Sequence, residues 1–72
     1  MKILDLHGLT HNKARESVIR FVERHWMSKK EAKIITGNSI KMQKVVCVVL
    51  DEYKLDYQFS VLGHGYIMTW FE

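Results

Sequence analysis

The chain contains no proline, one cysteine and only four glycines in 72 residues. The lack of proline, together with the lack of repeats and low-complexity tracts, leaves no segment that reads as an interdomain linker. A single cysteine, Cys47, excludes an intrachain disulfide scaffold and fits a reducing compartment. Lying within an apolar run, it reads as a small core residue. That run, 45–50, is the longest apolar stretch and is far too short to span a bilayer. Lys2 and Asp5 put charge where a signal peptide would be apolar. The expectation is a cytoplasmic protein with no membrane partner.

What is present is ordinary in amount. At 47% hydrophobic and 26% charged residues the composition is that of a folded chain, not a disordered one. The length allows one domain, 1–72, which would bury about 60% of its unfolded surface. With Met1 just before the first strand and Glu72 just after the last, the expectation is a free-standing domain with little tail. Net charge is +3 and the pI near 9.2, a sign compatible with a polyanion partner. Four histidines are many for this length, and each needs its own explanation.

Periodicity gives the order βαβαββ. Strand one covers 2–6 or 7 and stops at Gly8. Helix one covers 11–25, capped by Thr10, with Ala14, Val18, Phe21, Val22 and His25 at spacings of three and four. Residues 27–31 form a charged connection, and strand two covers 32–36. The segment from Ile40 to Tyr53 is rich in valine, which favours strands. Its apolar stripe of Met42, Val45, Val46, Val49, Leu50 and Tyr53 nevertheless has helical spacing, with Asn38 or Ser39 as cap. Strand three covers 56–62, a tight turn 63–65, and strand four 66–71, closing an antiparallel hairpin. Two right-handed crossovers then give a two-layer α/β sandwich, a four-stranded mixed sheet with both helices on one face.

Ligands of open α/β sheets gather beyond the carboxyl ends of the strands. Strand one ends there in Leu4-Asp5-Leu6-His7-Gly8, where alternation sends Leu4 and Leu6 to the helices and Asp5 and His7 the other way. An imidazole beside a carboxylate suits a general acid or base. The pair could also hold a divalent metal, but two ligands are too few for a structural zinc site. Strand two ends in Thr36-Gly37-Asn38-Ser39, a strand-to-helix turn whose amides and helix dipole suit a phosphate, with Lys41 adding charge one turn in. It is not a P-loop, because the glycine-rich run and its terminal Gly-Lys-Ser/Thr are missing. His64 would approach Asp5 and His7 as an acid or ligand if strand four lay near strand one; otherwise it is a solvated turn residue. His11 is within reach of a backbone phosphate, and His25 terminates helix one. Trp26, Trp70, Tyr66, Tyr57 and Phe59 could stack on bases, but in so small a protein most read as core.

"LDLHG" at 4–8, an amphipathic helix, "IITG" at 34–37 opening a second helix, and a terminal hairpin together resemble the Smr (small MutS-related) domain over essentially the whole chain. The resemblance implies the βαβαββ sandwich and a nucleic-acid-directed role, DNA nicking or RNA cleavage. Asp5 and His7 match the family's aspartate and histidine implicated in cleavage. Thr36 and Gly37 match the start of its second motif, His-Gly-x-Gly or Thr-Gly-x-Gly, associated with nucleic-acid binding. The chain departs from that motif at Ser39, which replaces the second glycine, and its hairpin is shorter than the family's glycine-rich loop. The side chain of Ser39 either obstructs a phosphate or contacts one. The cofactor implied, if any, is a divalent metal, Mg or Mn, near Asp5. The partner implied is DNA or RNA, with the ribosome or a MutS-type protein as further candidates. Two classes stay open: an endonuclease, and a nucleic-acid-binding or ribosome-associated module that does not cleave.

Overall fold

The computed structural model describes residues 1–60 and 65–71. Its elements are β1 (Lys2–Asp5), α1 (His11–His25), β2 (Glu31–Ile35), α2 (Ile40–Glu52), β3 (Tyr57–Phe59) and β4 (Tyr66–Trp70). They form a two-layer α/β sandwich whose mixed sheet has the order β1-β2-β4-β3. β1 is parallel to β2, while β4 runs antiparallel to both β2 and β3. α1 covers the span expected for it. β3 starts at Tyr57, one residue later than expected, and beyond Phe59 one further ladder bond runs from the Ser60 amide to the Tyr66 carbonyl at 3.1 Å. The expected continuation through 61–62 and the turn residues 63–64 lie outside the described residues.

Both helices start at their expected caps. Thr10 Oγ1 accepts from the Lys13 amide at 3.2 Å, and Ser39 Oγ accepts from the Met42 amide at 3.1 Å. Ser39, not Asn38, is therefore the cap of α2. The valines of α2 are tolerated because burial outweighs propensity. A β-branched residue costs at most about 0.7 kcal/mol in a helix. Each of the buried Val46, Val49 and Leu50 contributes roughly 1.5–3 kcal/mol.

Strand register sorts the side chains onto two faces. Leu4, Ile34, Ile67 and Phe59 form one row and Lys2, Ala32, Thr69 and Tyr57 the next, on the side facing the helices. Leu6, Val18, Val22, Ile34, Val46, Leu50 and Ile67 fill the layer between. The other face carries Ile3, Lys33, Met68 and Gln58 in register, with Lys33 Nζ 4.3 Å from the centre of the Tyr66 ring.

The aromatic residues expected in the core are mostly not there. Trp26 is 47% exposed, Phe59 48% and Trp70 36%, and Tyr57 and Tyr66 are half-buried. The inward positions of the central strands hold Ala32, Ile34, Ile67 and Thr69, so Trp70, opposite Glu31, turns to the open face. Phe71 is the buried aromatic, with Phe21 edge-on at 5.9 Å.

This topology gives the sandwich two unlike ends. At one end lie the carboxyl ends of β1 and β2 and the amino termini of both helices. At the other lie the amino ends of those strands, the carboxyl termini of both helices and the end of β4.

Candidate functional site

β1 stops at Asp5 because the next residues turn. Leu9 N donates to Leu6 O at 3.1 Å, and Gly8 at the third position has a φ of +80°, as a type II turn requires. Leu6 is buried and its amide still bonds Ile35 O at 2.9 Å, so the turn is pinned to the end of β2. His7 lies exposed at the tip of this turn. The hydrogen bond that joins Asp5 and His7 is not between side chains: the His7 backbone amide donates to Asp5 Oδ1 at 2.8 Å. This is an Asx turn. Asp5 thus fixes the backbone that carries the imidazole.

The second loop is held from the hairpin. Gly65 O accepts from the amides of Thr36 at 2.8 Å and Gly37 at 2.9 Å. Thr36 is buried, and its hydroxyl donates to the carbonyl of Gly37 (2.9 Å) or Gly65 (3.1 Å). Thr36, which the resemblance places at the start of a motif associated with nucleic-acid binding, uses its amide and hydroxyl donors to lock the corner. The Gly37 amide is likewise committed to protein. Ser39 Oγ is occupied by the cap bond. The groups this turn has left to offer a phosphate are the backbone amides at the start of α2, the exposed Asn38 side chain and Lys41. Neither helix has an acidic residue in its first turn, so no carboxylate of the helices competes with an anion for the positive ends of their dipoles.

A recess of about 200 Å³ adjoins this corner, bordered by Asn38, Gln43, Phe59, Ser60, Gly65 and Tyr66. Gln43, Phe59 and Gly65 were not read from the sequence as site residues. Gln43 sits one turn beyond Ser39, and its Nε2 reaches Gly37 O at 3.5 Å. Gly65 could have been suspected from its place between the hairpin turn and β4. His11 opens on a different hollow, a groove between the helices bordered by Arg15, Lys44, Val45 and Val48. His64 lies outside the described residues. β4, the strand expected to lie near β1 if His64 was to approach Asp5 and His7, pairs with β2 and β3 and is not a neighbour of β1. Among the described residues no three His, Cys, Asp or Glu side chains converge as a metal site. Among the same residues, no helix is long and apolar enough to cross a membrane.

No family model, curated protein or solved structure matches the chain.

Proposed function

We propose that this protein is a nucleic-acid-binding domain of the Smr type that cleaves phosphodiester bonds, with His7 moving the proton and the start of α2 receiving the phosphate. One observation carries the reading: β1 and β2 are parallel neighbours with Asp5 opposite Ile35, so the turn bearing His7 and the turn opening α2 leave the sheet side by side. A phosphate at the α2 amino terminus would have an exposed imidazole on the adjacent turn and Lys41 on the helix. On RNA, the 2′-hydroxyl attacks phosphorus and the 5′-oxygen leaves, with His7 removing the proton from one or supplying it to the other. DNA has no such hydroxyl, so water must attack. A divalent ion, Mg or Mn, would supply polarisation of the phosphate; the proton transfers assigned to His7 do not pass through it.

The assay is cleavage of supercoiled plasmid and structured RNA by the purified protein, with and without chelator. His7→Ala should abolish cleavage while leaving the thermal transition in place, since His7 is exposed. Asp5 is a positioning residue in this scheme, so Asp5→Asn, which keeps an oxygen for the His7 amide, should retain most activity and Asp5→Ala should not. Undiminished cleavage by His7→Ala refutes the proposal.

A specific observation favours a second reading, a binding or ribosome-associated module without cleavage. Asp5 Oδ1 holds the His7 amide, and Thr36 and Gly37 give their amides to Gly65. Salt-sensitive binding with no cleavage under any metal condition would select it.

A further inference from the structure

The other end of the sandwich carries features that the cleavage scheme does not use. Trp26 and Tyr53 are the carboxyl-terminal caps of α1 and α2, and their ring centres lie 5.7 Å apart. With Trp70 and Leu55 they line a hollow of about 330 Å³, whose wall also includes Lys54 and Asp56. That is at the small end of the range for ligand sites, room for one base-sized group. Trp70 also borders a second hollow, with Lys29, Lys30 and Phe71. Both tryptophans of the chain are therefore here, each more than one-third exposed.

The backbone around them is strained. Met27 and Lys29 (φ 60° each) and Lys54 (φ 56°) are the non-glycine residues in the left-handed region among the described residues. All three lie in the two loops beside this hollow. At Lys54 the left-handed conformation ends α2 in a Schellman cap, with Leu55 N donating to Leu50 O at 2.9 Å and Lys54 N to Asp51 O at 3.0 Å, which fixes this wall of the hollow. Between Met27 and Lys29, Ser28 Oγ is buried without a hydrogen-bond partner among the described residues.

We infer that this end binds single-stranded nucleic acid, unpaired bases stacking on Trp26 and Trp70 while Lys29, Lys30 and Lys54 meet the flanking phosphates. Exposed indoles between lysines are the combination that sequence-tolerant single-strand sites use. Tyr53 contributes an oriented wall, because its hydroxyl donates to Glu23 Oε2 at 3.2 Å. Asp56 and Glu23 also border this end, so stacking must contribute more than charge. Three aromatics near two carboxylates could instead cage an alkylammonium ion, but Lys54 on the same wall opposes a cation. The site lies at the opposite end of the strands from His7 and does not depend on cleavage there.

Because both tryptophans sit in this cleft, their emission reports on it alone. The native chain is titrated at low salt with a dye-labelled short oligothymidylate or oligouridylate, following dye anisotropy and tryptophan emission together. The expected result is saturable quenching that coincides with the anisotropy curve. Trp26→Ala and Trp70→Ala should each weaken binding roughly five- to a hundredfold. Trp70→Phe, which keeps a stacking ring, should restore most of that loss, and the exposed pair Lys29→Glu and Lys30→Glu should weaken binding without unfolding the chain. Binding with unchanged emission and insensitive to these variants would place the strand elsewhere and overturn the inference, leaving the His7 proposal intact. Equal quenching by inorganic polyphosphate, or a stronger response to tetramethylammonium, would overturn it too. Binding lost with the tryptophans but cleavage indifferent to His7 would sustain this inference and remove the other.

Discussion

Gly65→Ala is the most informative single change. Gly65 has a φ of +70°, where an L side chain costs about 1–2 kcal/mol. A Cβ built there would lie 2.8 Å from Gly37 C, 2.9 Å from Gly37 Cα and 3.0 Å from Gly37 O. These are backbone atoms that cannot rotate away, so the hairpin or the α2 corner must shift, adding about 1–3 kcal/mol. The shift would also loosen the three donors that converge on the Gly65 carbonyl. The total, about 2–5 kcal/mol, is a large share of the roughly 4–11 kcal/mol expected for 72 residues.

Gly37→Ala is the matched control. Its φ is +69°, nearly the same, but nothing lies within 4 Å of its Cβ position, so only the conformational cost of about 1–2 kcal/mol applies. Urea denaturation at constant slope separates the two. With a slope of about 1 kcal/mol per molar, Gly65→Ala should lower the midpoint by about 2 M or more and Gly37→Ala by about 1–2 M. Equal losses would show that the close approach of the two backbones does not limit stability. A larger loss for Gly37→Ala would refute the reasoning outright.

Two further predictions concern stability. Ser39→Ala removes the α2 cap and should cost about 1 kcal/mol, whereas Ser39→Gly should cost only a few tenths by the same urea assay, while opening the turn to closer approach by a phosphate. Tyr57 is hydrogen-bonded to Asp51 and partly buried, and its phenol is pushed from 10.0 up to about 12. The folded state therefore holds this proton more tightly than the unfolded chain. Its contribution is full below about pH 10 and is lost between 10 and 12. The thermal midpoint should fall over that window, and Tyr57→Phe should flatten the fall.

The order of elements was legible because each carried its own local signal. The stripe of Ala14, Val18 and Val22 defines α1, and the cap-and-stripe pattern from Ser39 to Leu50 defines α2 despite its valines. The strand faces were legible for Leu4 and Leu6 by alternation alone. The aromatic residues were not, because exposure depends on which strand lies beside which. The order β1-β2-β4-β3 places Trp70 on the open face, and only the helix ends, meeting in space, bring Trp26 to Tyr53. At the candidate site the residue types were visible but their bonds were not. Periodicity put Asp5 and His7 on one side of a strand, yet the strand ends at Asp5, and the carboxylate holds an amide two residues on. The role of Gly65 depends on a contact across 28 residues of chain to Gly37, which no local pattern encodes.

The two ends of the sandwich differ for a reason built into the chain order. Since β1 and β2 are parallel and each is followed by a helix, α1 and α2 must run the same way, and both present amino termini beside His7 and carboxyl termini beside Trp26. The helix dipoles therefore favour an anion at the first end and oppose one at the second. A phosphate at the His7 end can be held by backbone amides with few side-chain charges, the turn that opens α2 adding exposed Asn38 and Lys41. At the other end any phosphate must be held by lysines against two helix carboxyl termini, Asp56 and Glu23, so affinity there has to come chiefly from ring contact. Salt resolves the two contributions: each phosphate neutralised adds a log–log slope of about 0.7–0.9, whereas stacking adds affinity without slope. Loss of the Trp26 ring should therefore lower the binding line without tilting it, and loss of the Lys41 charge should tilt it.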